Sequence, residues 1–467
     1  MSSFASTLPP PPTDSTTSFS LPVAHPDPSS KPLAPRTLST DQQRKLDQLI
    51  DHFNATDFKL PQNLKDLKAI WVRDGKESGS RFGGLFGGKA SPIDDSTLTP
   101  LSDVEKCYWS NQAFQRCLRA TKWDYANAVK RAEETCVWRR EFNVEGMKEQ
   151  DVSREGETGK ELVFGFDVDC RPVLYMHPYR QNTQTGPDQI AFVVWCLERA
   201  LDLAPATDPA TEMLCLCIDF GANLKDTKSQ PTTLSQARKV LEILQTYYCE
   251  RLGKAVCVNI PQIFFAFYKL VSPFVDPVTK EKIRFLEKAD ATALIPPSQL
   301  QTIFGGAVNF EYDHDEYFPA LTKLCMERKR DNFERWKKFG RGQCGVDEAV
   351  IRGARKVAGD NDGDGHEGLP KEERKREDEV TSGVADLSVR DPPATTATAA
   401  TESGRDASPS PSTEEGTVVE RGTAPEDKPD STTTGPEEPQ TPGLDKFVDA
   451  PIASEKDVVQ AVPALTA

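Results

Sequence analysis

Long apolar runs and an excess of positive charge are both missing from this chain of 467 residues. No segment approaches the roughly 18–20 apolar residues that a helix needs to span a bilayer. Lysine and arginine total 57 against 72 acidic residues, which leaves a net charge of −15. Nucleic-acid binding depends on clustered positive charge, so we expect no nucleic-acid partner. The five histidines are dispersed and lack a nucleophile context, which argues against a catalytic triad.

The cysteines do not form a disulfide pattern. There are eleven, an odd number, and Cys215 and Cys217 lie in an apolar neighbourhood. Residues 1–35 are rich in Pro, Ser and Thr and lack a basic segment followed by an apolar core, so we do not expect a secretory signal. These features predict buried, reduced thiols in a cytoplasmic protein, with no metal site.

Acidic residues are concentrated at one end of the chain. Residues 345–467 contain 27 acidic and 13 basic residues, a net of −14, and Phe447 is their only aromatic residue. Such a segment cannot bury a core, so we predict a disordered acidic tail over 345–467. The Pro/Ser/Thr-rich composition likewise predicts a disordered arm over residues 1–38.

Hydrophobic periodicity divides the rest of the chain into three parts. Residues 39–145 form a helical region with a glycine-rich loop, residues 146–310 alternate strands with helices, and residues 311–344 form a basic helix. The alternation predicts an α/β fold with a mixed, mostly parallel sheet. The predicted helices are Thr40–Asn54, Trp123–Glu141, Asp188–Leu203, Thr233–Tyr248 and Glu316–Phe339, and the predicted strands are Glu161–Asp167, Pro172–His177, Met213–Asp219 and Ala255–Ile260.

The glycine-rich loop nearly matches a phosphate-binding P-loop at residues 83–90. Ala90, however, stands where that motif needs a Ser or Thr hydroxyl for magnesium, and no strand immediately precedes the loop. We therefore interpret the loop as flexible, and an enzyme that uses it is kept only as an alternative.

Five groups of motif residues follow one another in a characteristic order. Together they resemble the successive signatures of the CRAL-TRIO lipid-binding family, over about residues 101–320. Within that family the resemblance is greatest to fungal phosphatidylinositol transfer proteins of the subgroup associated with azole tolerance. The groups are Leu118–Asp124, Asp169-x-Arg171-Pro172-Val173, Tyr248-x-Glu250-Arg251-Leu252-Gly253-Lys254, Asp276-Pro277-x-Thr279-x-x-Lys282 and Phe304-Gly305-Gly306.

The resemblance implies a CRAL-TRIO fold whose sheet encloses an apolar cavity for one phospholipid. It assigns the inositol headgroup to Glu250 and Lys282, with Thr279 beside them. Lys282 would offer its charge and N–H donors to the phosphate, and Glu250 would accept hydrogen bonds from inositol hydroxyls. The apolar segment 262–274 would be a lid. The implied cavity and lid residues are Leu214, Leu216, Val256, Val258, Phe264, Phe265, Phe267, Tyr268 and Val271.

This sequence departs from the family pattern at two places. Leu214 and Leu216 stand where members that bind phosphatidylcholine carry Ser and Thr hydroxyls, so a choline phosphate would lose hydrogen bonds there. We therefore predict phosphatidylinositol binding without phosphatidylcholine binding. Thr121 stands where several members carry an Arg near the phosphate, and Arg119 and Lys122 are the candidates to replace it.

The resemblance implies a phosphatidylinositol transfer protein that is not an enzyme and needs no cofactor beyond its bound lipid. We expect a monomer that makes transient contact with a membrane surface, at the endoplasmic reticulum, lipid droplets or the cell periphery. A sterol is a candidate second ligand, and a phosphoinositide kinase is a candidate partner. The alternatives are a carrier of a sterol or another hydrophobic ligand, and a non-transferring lipid sensor that regulates a partner.

Overall fold

The computed structural model describes residues 3–12, 14–76, 95–184, 186–221, 234–260, 277–285 and 288–356. In these ranges the helices are α1 (Phe4–Thr7), α2 (Thr40–Asn54), α3 (Leu64–Arg73), α4 (Asp103–Tyr108), α5 (Asn111–Ala120), α6 (Tyr125–Glu141), α7 (Glu149–Gly156), α8 (Pro187–Asp202), α9 (Leu234–Tyr247), α10 (Pro277–Lys282), α11 (His314–Gly340) and α12 (Glu348–Ile351). The strands are β1 (Ser18–Phe19), β2 (Glu161–Phe166), β3 (Pro172–Met176), β4 (Leu214–Asp219), β5 (Leu252–Val258), β6 (Ile283–Phe285) and β7 (Asn309–Phe310).

The main sheet has the strand order β2-β3-β4-β5-β6. β2 and β3 form an antiparallel hairpin, whereas β3, β4, β5 and β6 run parallel. β4 lies at the centre and all six of its residues are buried, as a continuous apolar run indicates for a strand covered on both faces. The predicted α/β class with a mostly parallel sheet is confirmed.

The helical region packs around a core of its own, formed chiefly by α2, α3, α5 and α6. The predicted helix Thr40–Asn54 is confirmed, and Ser39 and Gln42 cap its amino end reciprocally. The helix predicted from Trp123 begins two residues later. Asp124 caps it by accepting a hydrogen bond from the backbone N–H of Asn127, and this cap sets the first helical residue.

The amino-terminal arm is folded, so the prediction of disorder over residues 1–38 is wrong for the part that is described. β1 pairs in parallel with β7, and the buried ring of Phe19 lies 6.2 Å from that of Phe164. The backbone N–H of Phe4 donates to the carboxylate of Glu327 on α11 at 2.8 Å. The few apolar residues of the arm fold because the domain supplies the surface, which composition does not reveal.

The carboxyl-terminal boundary also differs from the prediction. Residues 345–356 are folded and include α12, so the tail predicted to begin at residue 345 is wrong over this segment. The Glu348 side chain is buried and accepts a hydrogen bond from Ser110 at 2.8 Å. Residues 357–467 and the glycine-rich segment 83–90 lie outside the described residues.

Two further properties of the described chain bear on function. No helix in the described ranges is long and apolar enough to cross a membrane. All eleven cysteines are free thiols and nine are buried, which confirms the predicted buried thiols. Cys249 is one of the two that are partly exposed, and it lies beside Glu250 in the chain.

Candidate functional site

Glu250 occupies the turn between α9 and β5. Its φ of 60° is a left-handed conformation, which side-chain-bearing residues adopt rarely. The preceding residue, Cys249, packs against the helical core that contains Cys117 of α5. A hydrogen bond from Cys117 lowers the pKa of Cys249 to about 7, and nearby arginines act in the same direction. The turn that carries Glu250 therefore lies against the helical region.

Lys282 lies at the end of α10, directly before β6. β6 pairs with β5 in the register Ala255↔Ile283, which places Lys282 beside the amino-terminal half of β5. The structure therefore places Glu250 and Lys282 at the amino ends of two neighbouring parallel strands. Thr279 belongs to the same helix, but its side chain lies outside the described side chains.

The motif around Arg171 supports the beginning of β5. Arg171 forms ion pairs with Asp167 at 3.1 Å and Asp169 at 2.9 Å, and Lys254 binds the same Asp169 oxygen at 3.2 Å. A Cβ atom on Gly253 would lie 2.6 Å from the Arg171 side chain. Only glycine leaves room for this contact, so two sequence motifs meet in one packed unit.

The predicted cavity residues divide between the two faces of the sheet. Leu214 and Leu216 are buried on β4, as expected. In the register of β4 and β5, however, Val256 pairs with Cys217 rather than with Leu216. Paired residues of adjacent strands share a face and successive residues alternate.

Val256 and Val258 therefore lie on the face opposite Leu216, and the prediction that both pairs line one cavity is wrong. A strand's register cannot be read from its own apolar run. The predicted lid, including Phe264, Phe265, Phe267, Tyr268 and Val271, lies outside the described residues.

Thr121 faces a polar cavity of about 340 Å³ between α3, α5 and α6. Lys130, Arg131 and Glu134 also line it. Of the two residues proposed to replace an Arg at position 121, Lys122 is exposed. Arg119 is directed elsewhere, into a buried group of charges.

We call that group the arginine cluster, and it consists of Arg116, Arg119, Arg251 and Arg352 with Glu212 and Glu348. Arg116 Nη1 and Arg119 Nη2 bind one oxygen, Oε2 of Glu212, at 3.1 and 3.0 Å. Arg251 Nη1 donates to the Glu212 backbone carbonyl at 2.8 Å. The cluster thus joins α5 to the segments before β4 and β5.

Glu348 extends the arginine cluster to α12. Its carboxylate binds Arg116 at 3.1 Å and Arg352 at 2.6 Å. Burial opposes ionisation of Glu348, but the attraction of Arg352 and Arg116 outweighs burial and holds its pKa well below the usual range. Arg119 and Arg251 belong to recognisable motifs, whereas no sequence signal pointed to Glu212 or Glu348.

A second polar group, also missed from the sequence, lies at the carboxyl ends of the parallel strands. Asp219 Oδ1 accepts hydrogen bonds from the Asn259 amide at 2.6 Å and from the Gly221 backbone at 2.9 Å. His177 follows β3 and is fully buried, and burial holds its pKa well below the usual value. These residues lie at or just after the carboxyl ends of β3, β4 and β5.

Comparisons with known proteins place these motifs in a family. A model of the CRAL/TRIO domain matches residues 156–306. The phosphatidylinositol transfer protein PDR17 of Saccharomyces cerevisiae is 36% identical over 327 residues, which cover 68% of this chain and 85% of that protein.

A CRAL-TRIO domain-containing protein of Schizosaccharomyces pombe is 37% identical over 337 residues, or 72% of this chain. The chain spans only 30% of the length of that relative. Among solved structures, a crystal structure of Sfh5 covers 56% of this chain and 85% of its own, at 16% identity and a TM-score of 0.35.

Proposed function

The chain belongs to the CRAL-TRIO family, and from this premise we propose that it binds phosphatidylinositol and carries it between membranes. The observation that carries the proposal is the position of Glu250 and Lys282 at the amino ends of β5 and β6. The name of the 36%-identical yeast relative, a phosphatidylinositol transfer protein, supports the same ligand.

The two side chains suit complementary parts of an inositol phospholipid headgroup. The ammonium group of Lys282 donates to phosphate oxygens, and a carboxylate such as that of Glu250 accepts from ring hydroxyls. Neither role requires a covalent step, so the protein acts as a carrier rather than as an enzyme. Contact with a membrane is transient and serves to exchange the lipid.

The same proposal includes selectivity against phosphatidylcholine. Leu214 and Leu216 place apolar, buried side chains on the central strand. A choline phosphate at this strand would find no hydroxyl donor there, which costs about 1–3 kcal/mol for each group left unpaired. A sterol, which has only one hydroxyl, is the second candidate ligand for such an apolar lining.

The test is mass spectrometry of the lipids that co-purify with the chain and with a Glu250→Ala/Lys282→Ala double variant. The matched control is Glu242→Ala/Lys239→Ala, which removes the same residue types from an exposed ion pair on α9. We expect phosphatidylinositol in the native chain and in the control, and its loss from the double variant. We expect no phosphatidylcholine in any of them.

Other outcomes distinguish the alternatives. Phosphatidylinositol in both double variants would retain the function but reject the headgroup site, and a sterol as the sole lipid would reject the ligand. A transfer assay between donor and acceptor vesicles then separates a carrier from a lipid sensor. A sensor would hold phosphatidylinositol without moving it.

A further inference from the structure

The arginine cluster contains more positive than negative charge. Its four arginines face two glutamates. The side chains of Arg116, Arg119 and Arg352 are 4%, 10% and 10% exposed, and Arg251 is also buried. Guanidinium groups keep their proton at any ordinary pH, so the excess cannot be removed by deprotonation.

Hydrogen-bond donors in the cluster are also left over. Within the part of the chain that the structure describes, Nε and Nη1 of Arg119 and Nη2 of Arg116 are buried without a hydrogen-bond partner. Both side chains bind the same oxygen of Glu212, so the two guanidinium groups that carry these unpaired nitrogens are neighbours. Buried charged donors without a partner are destabilising by several kcal/mol, which indicates that an acceptor completes the group.

We propose that the arginine cluster is a binding site for a phosphate group. A phosphate monoester or inorganic phosphate carries up to two negative charges at neutral pH, which equals the excess of the cluster. Its oxygens accept several N–H donors at once, and planar guanidinium groups bind such oxyanions well. A carboxylate would supply one charge only and would leave the excess half compensated.

The neighbourhood of the cluster is consistent with an anion. The lowered pKa of Cys249, to which Arg131, Arg116 and Arg251 contribute after the hydrogen bond from Cys117, reports a positive field at this turn. Arg251 directly follows Glu250, so the phosphate of a bound inositol lipid is one source of the anion, but as a diester it carries a single negative charge and compensates half of the excess. A free phosphate supplies both charges and is the source that the charge balance favours. Only the lipid source rests on the proposed function.

The experiment titrates inorganic phosphate into the full chain after its lipid has been removed with detergent, followed by phosphorus NMR and calorimetry. Arg119→Gln removes two of the unpaired donors and one charge. Arg330→Gln is the matched control, since that arginine is 60% exposed on α11. We expect the native chain and the control to bind phosphate and Arg119→Gln to bind it roughly tenfold more weakly or not at all.

Reloading the chain with phosphatidylinositol distinguishes the two sources. If the loaded chain no longer binds phosphate, the lipid headgroup occupies the site, and if binding is unchanged the site serves a free phosphate. No binding by the lipid-free native chain, or equal binding by Arg119→Gln and Arg330→Gln, would overturn the proposal. The bound lipid is identified separately, by mass spectrometry of the native chain and Glu250→Ala/Lys282→Ala. A negative result for phosphate binding therefore does not contradict the proposed lipid function.

Thermal unfolding in two buffers separates loss of phosphate binding from a general loss of stability in the variant. In chloride buffer we expect Arg119→Gln to be at least as stable as the native chain, because it removes an uncompensated buried charge. In phosphate buffer of equal ionic strength the native chain should gain stability and the variant should not. If Arg119→Gln does not fold, Arg119→Lys keeps the charge but lacks the forked donors, and undiminished phosphate binding by it would contradict the proposal.

Discussion

The arginine cluster and the group around Glu161 are both buried and carry opposite excesses of charge. In the second group Lys160 binds Glu155, and the nearby Glu161 leaves Oε2 without a hydrogen-bond partner in the described chain. Burial raises the pKa of Glu161 to about 7, against the attraction of Lys160 and with the repulsion of Glu155. A carboxylate excess can therefore be neutralised by a proton. An arginine excess cannot, and needs an anion from outside.

A third group has equal numbers of cations and carboxylates, and it serves as the reference for the other two. Its Arg139–Glu198 pair is buried, whereas Glu145 and Lys329 are partly exposed. Arg139 binds both oxygens of Glu198, at 2.9 and 3.0 Å, and Glu145 lies between Arg139 and Lys329. Tyr248 donates to Glu198 at 2.6 Å. Two cations and two carboxylates here neutralise each other within the fold.

The balanced group should be the most sensitive to the loss of one charge. Glu198→Gln leaves two cations, Arg139 and Lys329, with a single carboxylate, Glu145. Because one positive charge at the buried Arg139 is then uncompensated, we expect a loss of about 3–5 kcal/mol in the free energy of unfolding. Urea denaturation followed by circular dichroism measures it. A loss below about 1 kcal/mol would show that this group does not hold the helical region to the sheet.

A double variant sharpens this result. Arg139→Met/Glu198→Leu replaces the ion pair with apolar side chains and leaves Glu145 paired with Lys329. Because well-packed apolar residues often substitute for a buried ion pair without loss, the double variant should be more stable than Glu198→Gln alone. If it is less stable, the group contributes more than charge compensation.

The group around Glu161 should make stability depend on pH. The pKa of Glu161 rises from 4.5 to about 7 on folding, so its contribution is present below about pH 4.5 and is lost as the pH rises through about 7. At about 1.4 kcal/mol per pH unit, the native chain should lose about 3 kcal/mol over this range relative to Glu161→Gln.

The comparison with Glu161→Gln is needed because other groups titrate nearby. The lowered pKa of His177 makes stability fall as the pH drops below its usual value, and the hydrogen-bonded thiols Cys249 and Cys117 have pKa values shifted in opposite directions. Both contributions are common to the native chain and the variant. Urea unfolding of both proteins at several pH values measures the difference. If the free energies of unfolding of the native chain and Glu161→Gln change in parallel with pH, Glu161 has the same pKa in the folded and the unfolded chain and the prediction is wrong.

The smallest change in the free energy of unfolding is expected for an exposed ion pair, because water solvates the charge that remains. Lys239 and Glu242 form an ion pair on α9 with side chains 53% and 57% exposed. Glu242→Gln should change the free energy of unfolding by less than about 0.5 kcal/mol. Thermal unfolding at low and high salt tests this, and a loss comparable with that of Glu198→Gln would remove the distinction between buried and exposed pairs.

The elements that carry strong local patterns could be predicted from the sequence. The helix Thr40–Asn54 and the buried run of β4 have periodicities that only one kind of element satisfies. The folded arm could not be predicted in the same way, because β1 consists of two residues paired to a strand about 290 positions away. Composition describes a segment's own apolar content and not the surface that another segment offers to it.

In the candidate site, too, some features could be predicted from the sequence and others depend on distant segments. Glu250, Thr279 and Lys282 were assigned to the headgroup by the resemblance to the CRAL-TRIO family, and the structure places Glu250 and Lys282 at the amino ends of the neighbouring strands β5 and β6. The faces of Leu216 and Val256 depend on the register between β4 and β5, which a shift of one residue reverses. Glu212, which binds Arg119, lies 93 residues away, and Glu348, which binds Arg116, lies 232 residues away, so no local pattern marks either partner.

The amino-acid sequence alone determined the α/β class, the order of the main elements and the family motifs, since each depends on residues close together in the chain. Tertiary structure decided the ends of the folded part, the faces of the strands and the buried groups of charge. These depend on which distant segments meet and on how burial changes the cost of a charge. Arg119 belongs to a sequence motif, but only the tertiary structure shows that it is buried beside Arg116 and shares Glu212 with it.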